Sequence, residues 1–69
     1  MVTYLIDGMT SGRSAMTVVQ AIRRLAGVET VDVDLVDGKV DVVAVRPIPE
    51  QEVAAAVSAT GCRLVREAP

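Results

Sequence analysis

An α+β fold, with two helices laid on one face of a four-stranded antiparallel sheet, is what this sequence predicts. Three observations carry it. Apolar residues alternate with aspartates through "VETVDVDLVDGKVDVVAV", the period-2 signature of paired strands with one wet face. Two other stretches repeat their apolar residues at helical intervals, and short apolar runs at either end supply two further strands. The order that results is β-α-β-β-α-β, with no linker, repeat or low-complexity segment, so residues 1–69 are read as one domain.

The first strand is "VTYLID", in which Val2, Tyr4 and Ile6 share a face and Leu5 falls on the opposite one; Gly8 ends it. From Ser11 or Gly12 the spacing becomes helical. Ala15, Val18, Val19, Ile22 and Leu25 form the inward stripe, while Arg13, Thr17, Gln20, Arg23 and Arg24 face out. Gly27 is expected to close this helix in a left-handed conformation, after arginines suited to its negative end. Val31, Val33 and Leu35 then alternate with Asp32 and Asp34, Asp37-Gly38 reads as a hairpin turn, and Val40 and Val42 resume the alternation. Pro49 suits the first turn of a second helix, Glu50 and Glu52 its positive end, and Val53, Ala56 and Val57 its buried stripe, with Gly61 as the stop. "CRLVRE" is the last strand. The expected core is Ile6, Val18, Ile22, Val31, Val33, Val40, Val42, Val53 and Val57, with Asp32 facing water.

Composition narrows the function. A chain of 69 residues buries only about 60% of its unfolded surface, so nearly every apolar residue is needed inside, and here 51% are hydrophobic, with Tyr4 the only ring. One cysteine, Cys62, makes no intramolecular disulfide, and the absence of histidine excludes a Ser-His-Asp triad, Cys-His catalysis and a Cys/His zinc site. A net charge of −2 and a lack of stacking rings argue against nucleic acid as a partner. No nucleophile and base can be picked out, so no enzyme is expected. "MVTYLIDGMT" has no basic n-region, and no run approaches the ~18 apolar residues of a membrane span. A soluble, cytoplasmic domain without membrane insertion is the expectation, standing alone or cut from a longer protein.

The motif that carries chemistry is "GMTSGRSA", residues 8–15, between the first strand and the first helix. Together with Ile6, Ala15, Val18, Gly27-Val28, "VDVDL", "DGKV" and "AAAVSATG", it makes the chain similar to the heavy-metal-associated domain family from about Thr3 to Val65. That family comprises small copper chaperones and the amino-terminal domains of metal-pumping ATPases. The resemblance implies the ferredoxin-like β-α-β-β-α-β sandwich, soft-metal binding and transfer, and a metal-transporting ATPase or metallochaperone as partner. In the family the loop reads Gly-Met-Thr-Cys-x-x-Cys, and its two thiolates hold copper(I), a soft ion that prefers sulfur. Here Ser11 and Ser14 stand at both positions, and Cys62 stands where the family places an aromatic ring. A serine hydroxyl is a hard, neutral oxygen and a poor ligand for such an ion. The chain as written is therefore expected to carry no cofactor and to be deficient in metal binding, whether by engineering or by natural loss. Copper(I) is implied for a form with cysteine at positions 11 and 14.

The binding candidates are thus Met9, Ser11, Arg13, Ser14 and Cys62, with no catalytic residue. The position of Ser11 and Ser14 favours helix capping. The functional alternative is an anion site built from free backbone N–H groups, the two hydroxyls and Arg13. Met9 fits core filler better than a lone thioether ligand. Cys62 fits a small apolar residue; the alternative is a thiol through which two chains share a metal or form a disulfide, making a dimer of an expected monomer. The exposed arginines Arg13, Arg23 and Arg24 offer a docking side for an acidic partner. The runner-up function is accordingly a metal-independent protein-interaction or anion-binding module on the same scaffold.

Overall fold

The computed structural model describes residues 1–68. Strands β1 (Val2–Asp7), β2 (Val28–Asp34), β3 (Lys39–Ala44) and β4 (Arg63–Glu67) form one antiparallel sheet in the order β2-β3-β1-β4. Helices α1 (Gly12–Arg23) and α2 (Glu50–Ser58) follow β1 and β3. The α+β architecture is the one expected from the alternation and helical spacing. Sheet and helices meet in one apolar cluster made of Tyr4, Ile6, Val40 and Val42 from the sheet and Ala15, Val18, Ile22, Val53 and Val57 from the helices, closed by Met9 and Cys62. No charged or polar side chain is buried among the described residues.

The hairpin register sets Val31 opposite Val42, Asp32 opposite Asp41 and Val33 opposite Val40. Val31 and Val33 thus share the inward face and Asp32 is exposed, as the alternation requires. Val33 nonetheless lies outside the core, 38% exposed. It sits near the end of β2, an edge strand with one neighbour only, so the inward face there is not closed over. Leu35, expected inside the strand, is 39% exposed in the turn. The reason is the loop: Asp34 pairs with Lys39, so the connection is four residues long, 35–38, and only its last residue, Gly38, takes a left-handed φ of 66°. Asp34 caps the turn by accepting from the Asp37 N–H.

Two helix boundaries also differ from expectation. Helix α1 ends at Arg23, two residues before Leu25. There the bonding tightens, with the Leu25 N–H donating to the Ile22 carbonyl, and Gly27, at φ 93°, turns the chain into β2. Leu25 still packs on the core from this turn, which is why its spacing looks helical. Pro49 precedes the helix as its N-cap, with an extended ψ of 136°, and its carbonyl accepts from Glu52 and Val53. Glu50 and Glu52 occupy the first turn of α2, where the helix dipole favours them.

Tyr4, 3% exposed, is the only aromatic ring in this core. Burial raises its phenol pKa, and the negative charges of Glu67 and Glu50 add to the effect. The folded chain therefore holds the phenolic proton more tightly than the unfolded chain. This contribution to stability is complete below about pH 10 and is lost as pH rises through the folded-state pKa. Since Tyr4 is the only aromatic residue, phenolate absorbance reads it alone. Its titration midpoint should lie higher in the native chain than in urea, and Tyr4→Phe should flatten the alkaline fall in stability measured by urea unfolding. Equal midpoints in the two states would contradict the assignment.

Candidate functional site

The turn from β1 into α1 is shaped by one glycine. Gly8 has φ 98°, which a side chain resists, and it reverses the chain at the end of β1. Met9 then folds back into the core at 7% exposure, while Thr10 remains outside. Ser11 follows in an extended conformation, φ −152° and ψ 165°, as the N-cap of α1.

Ser11 and Ser14 form a reciprocal capping box. The Ser14 N–H donates to Ser11 Oγ at 3.3 Å and the Ser11 N–H donates to Ser14 Oγ at 3.1 Å. The Ser14 hydroxyl donates in turn to the Ser11 carbonyl at 2.9 Å, and the two hydroxyl oxygens lie 3.4 Å apart. Two otherwise orphaned backbone donors of the helix start are satisfied in this way. No acidic residue occupies the first turn. Arg13, between the two serines, is exposed, as are Arg23 and Arg24 at the far end of α1.

Cys62 lies in the turn before β4, which adjoins the end of β1 where Asp7 pairs with Arg63. After α2 the Thr60 hydroxyl donates to the Val57 carbonyl at 2.6 Å and accepts from the Cys62 N–H at 3.4 Å, while Gly61, at φ 90°, turns the chain toward β4. The thiol is buried, 7% exposed, and packs against Gly8: a methyl group built on Gly8 would lie 3.4 Å from Cys62 Cα and 3.7 Å from its Sγ. The resemblance to the metal domains implies that the end of the second helix comes close to the loop, with the thiol beside Ser11 and Ser14; beyond that, the sequence offers no sign of the contact with Gly8. Of the binding candidates, Ser11 and Ser14 are joined directly, Met9 and Cys62 are both enclosed in the core, and Arg13 stands in solvent.

Two hydroxyl oxygens are hard ligands already engaged with backbone, the thioether of Met9 is turned inward, and the single thiol is enclosed beside Gly8. Among the described residues no group of three or more His, Cys, Asp or Glu side chains is placed to hold a metal ion.

Comparison with known proteins gives the same frame. The profile of the heavy-metal-associated domain matches residues 3–62. Among solved structures, a CopZ metallochaperone is 25% identical over 91% of this chain and 96% of its own, with a TM-score of 0.84. The N-terminal domain of PacS from Synechocystis PCC6803, at 22% identity over 99% and 96% of the two chains, has a TM-score of 0.84. The yeast copper transporter domain CCC2A, solved in apo and Cu(I)-loaded states, is 23% identical over 97% and 96%, with a TM-score of 0.81. These last two likenesses speak for the fold. No curated protein matches the chain significantly.

The capping box and the glycine set two stability expectations. Ser11→Ala should cost about 1 kcal/mol in urea unfolding, and Ser14→Ala, removing the return bond, somewhat less. Gly8→Ala has room for its methyl group at 3.4 Å, so its cost should be the left-handed backbone alone, about 1–2 kcal/mol. A neutral Ser11→Ala would mean that water caps this helix equally well.

Proposed function

We propose that this chain, which belongs to the heavy-metal-associated domain family, keeps the scaffold of a soft-metal transfer domain but does not hold copper(I) tightly. The capping box is the observation that carries the reading. The two positions that would bear thiolates straddle the strand-to-helix turn at the family's spacing, and their hydroxyls are spent on the helix start. Thiolates there would gain from the helix dipole and could present an almost linear pair of soft donors; hydroxyls offer neither charge nor softness.

The domain acts without catalysis on this reading and spans residues 1–69. Its partner is a metal-transporting ATPase or a metallochaperone, met through the exposed arginine side of α1 at Arg13, Arg23 and Arg24. No helix is long and apolar enough to cross a membrane among the described residues, which is compatible with the cytoplasmic setting we assign. A bridge between two chains through Cys62 would first require the Gly8 loop to open, because the thiol is enclosed. The same exposed arginines support a second reading, a metal-independent interaction module that docks like its relatives and transfers nothing.

Chelator competition for copper(I) tests the proposal. The parent chain at micromolar concentration should leave essentially all of the metal with a chromogenic chelator. One equivalent held by the monomer would sink the claim and point to Met9 with Cys62; half an equivalent held by a dimer would point to Cys62 as a bridge. Ser11→Cys with Ser14→Cys should create a site, binding about 10²–10⁴-fold tighter than either single variant because the second sulfur is then intramolecular. A folded double variant that competes no better than the parent would remove the metal-transfer reading and leave the interaction module.

A further inference from the structure

The sheet face turned away from the helices carries a separated pattern of charge. Strand pairing sets its residues in rows: Thr3, Asp41 and Asp32 in one, Arg66, Leu5, Lys39 and Asp34 in the next, Asp7 with Arg63 in the third. Directly paired residues share a face, and the contacts agree, since the Thr3 hydroxyl donates to Asp41 and Asp7 pairs with Arg63 at 3.5 Å. The two edge strands bear opposite charge: Asp32 and Asp34 lie on β2, Arg63 and Arg66 on β4. Between them the two central strands present Leu5 and Val43, half-buried, among Thr3, Asp41, Lys39 and Asp7. Arg66 and Asp32 have no ion-pair partner among the described residues, and Asp34 is engaged only as acceptor for its own turn.

A surface negative at one edge and positive at the other is complementary to itself under one rotation. With a two-fold axis between two stacked faces and parallel to the strands, β2 of one copy lies over β4 of the other, and the rows stay level. Asp34 then meets Arg66 of the second copy, and symmetry makes the same contact twice. An axis across the strands would set β2 over β2, aspartate against aspartate, which charge forbids. We propose that this open face is a weak, salt-sensitive self-association surface on which a second copy of the chain packs face to face, Asp34 of each against Arg66 of the other.

The contact is small. Four strands at ~4.8 Å spacing give a face roughly 20 Å wide, so two copies bury on the order of 800 Å² in total, below the range of stable interfaces. Charge sets the orientation and carries most of the contact, with Leu5 and Val43 the only apolar side chains on the central strands, so association belongs to high protein concentration and low salt.

Sedimentation velocity at roughly 0.5 mM protein, with reductant present to exclude disulfides, tests this. A closed dimer is expected at low ionic strength, weakened about fivefold or more at ~0.5 M salt. Asp34→Arg and Arg66→Asp, each exposed and checked for folding by circular dichroism, should both be monomers alone. Mixed in equal amounts they should form a heterodimer, and the chain carrying both changes should dimerise again. Asp34→Asn retains the turn acceptor without the charge and should weaken the dimer about fivefold even if Asp34→Arg fails to fold. A monomer at low salt, a dimer indifferent to the single changes, or single variants that ignore each other would overturn the proposal. Growth beyond a dimer would overturn it in favour of edge-to-edge strand pairing.

Discussion

Val18 and Ile22 from α1, Val53 and Val57 from α2, and Val40 from β3 are fully buried in one cluster, and the rest of the molecule depends on that layer. All five are β-branched, and Tyr4 is the only ring that joins them. A core made of small, stiff pieces has no large side chain with which to close its ends. The end beside the serine loop is closed by loop residues instead: Met9 from the turn after β1 and Cys62 from the turn before β4. The two soft atoms nearest the serine loop are therefore part of what holds the fold together, which limits their availability as ligands.

The same constraint explains what could be read from the chain directly. Where one face of a strand or helix must be apolar and the other wet, the pattern is strict, and Val31, Val40, Val42, Val18, Ile22, Val53 and Val57 follow it. Pattern fails where burial depends on what lies beyond the element. Val33 points inward by register but sits at the edge of the sheet, where nothing closes over it. Leu25 obeys helical spacing from a turn outside the helix, because a residue just past a helix end can still reach the same core. The hairpin loop is two residues longer than the pattern implies, since Asp37-Gly38 matches a two-residue turn as well as the second half of a four-residue one.

At the loop, local chemistry was legible and distant contact was not. Serine three residues after serine at the start of a helical pattern announces a cap, and the structure shows both bonds of the box. The meeting of Gly8 with Cys62 joins positions far apart in the chain. Nothing in a glycine or a cysteine specifies which element will pack against it. The resemblance to metal domains implies that the end of the second helix comes near the loop, but which atoms meet there is a fact of three dimensions.

Fold and cargo can be separated in a scaffold of this kind. A small metal site usually contributes to folding when its ligands tie together segments that would otherwise stay apart. Here positions 11 and 14 lie within one turn of helix, only three residues apart, so a metal between them would close no long loop. What the turn needs for stability is partners for its free N–H groups, and a serine oxygen supplies these better than a bulky, weakly accepting sulfur. Serine at both positions therefore leaves the apo fold as stable as cysteine would, or more so. The exposed arginine between them is untouched, and so is the packing of Met9 beneath. On the proposed reading, the change removes the cargo and leaves the surface that a partner would recognise.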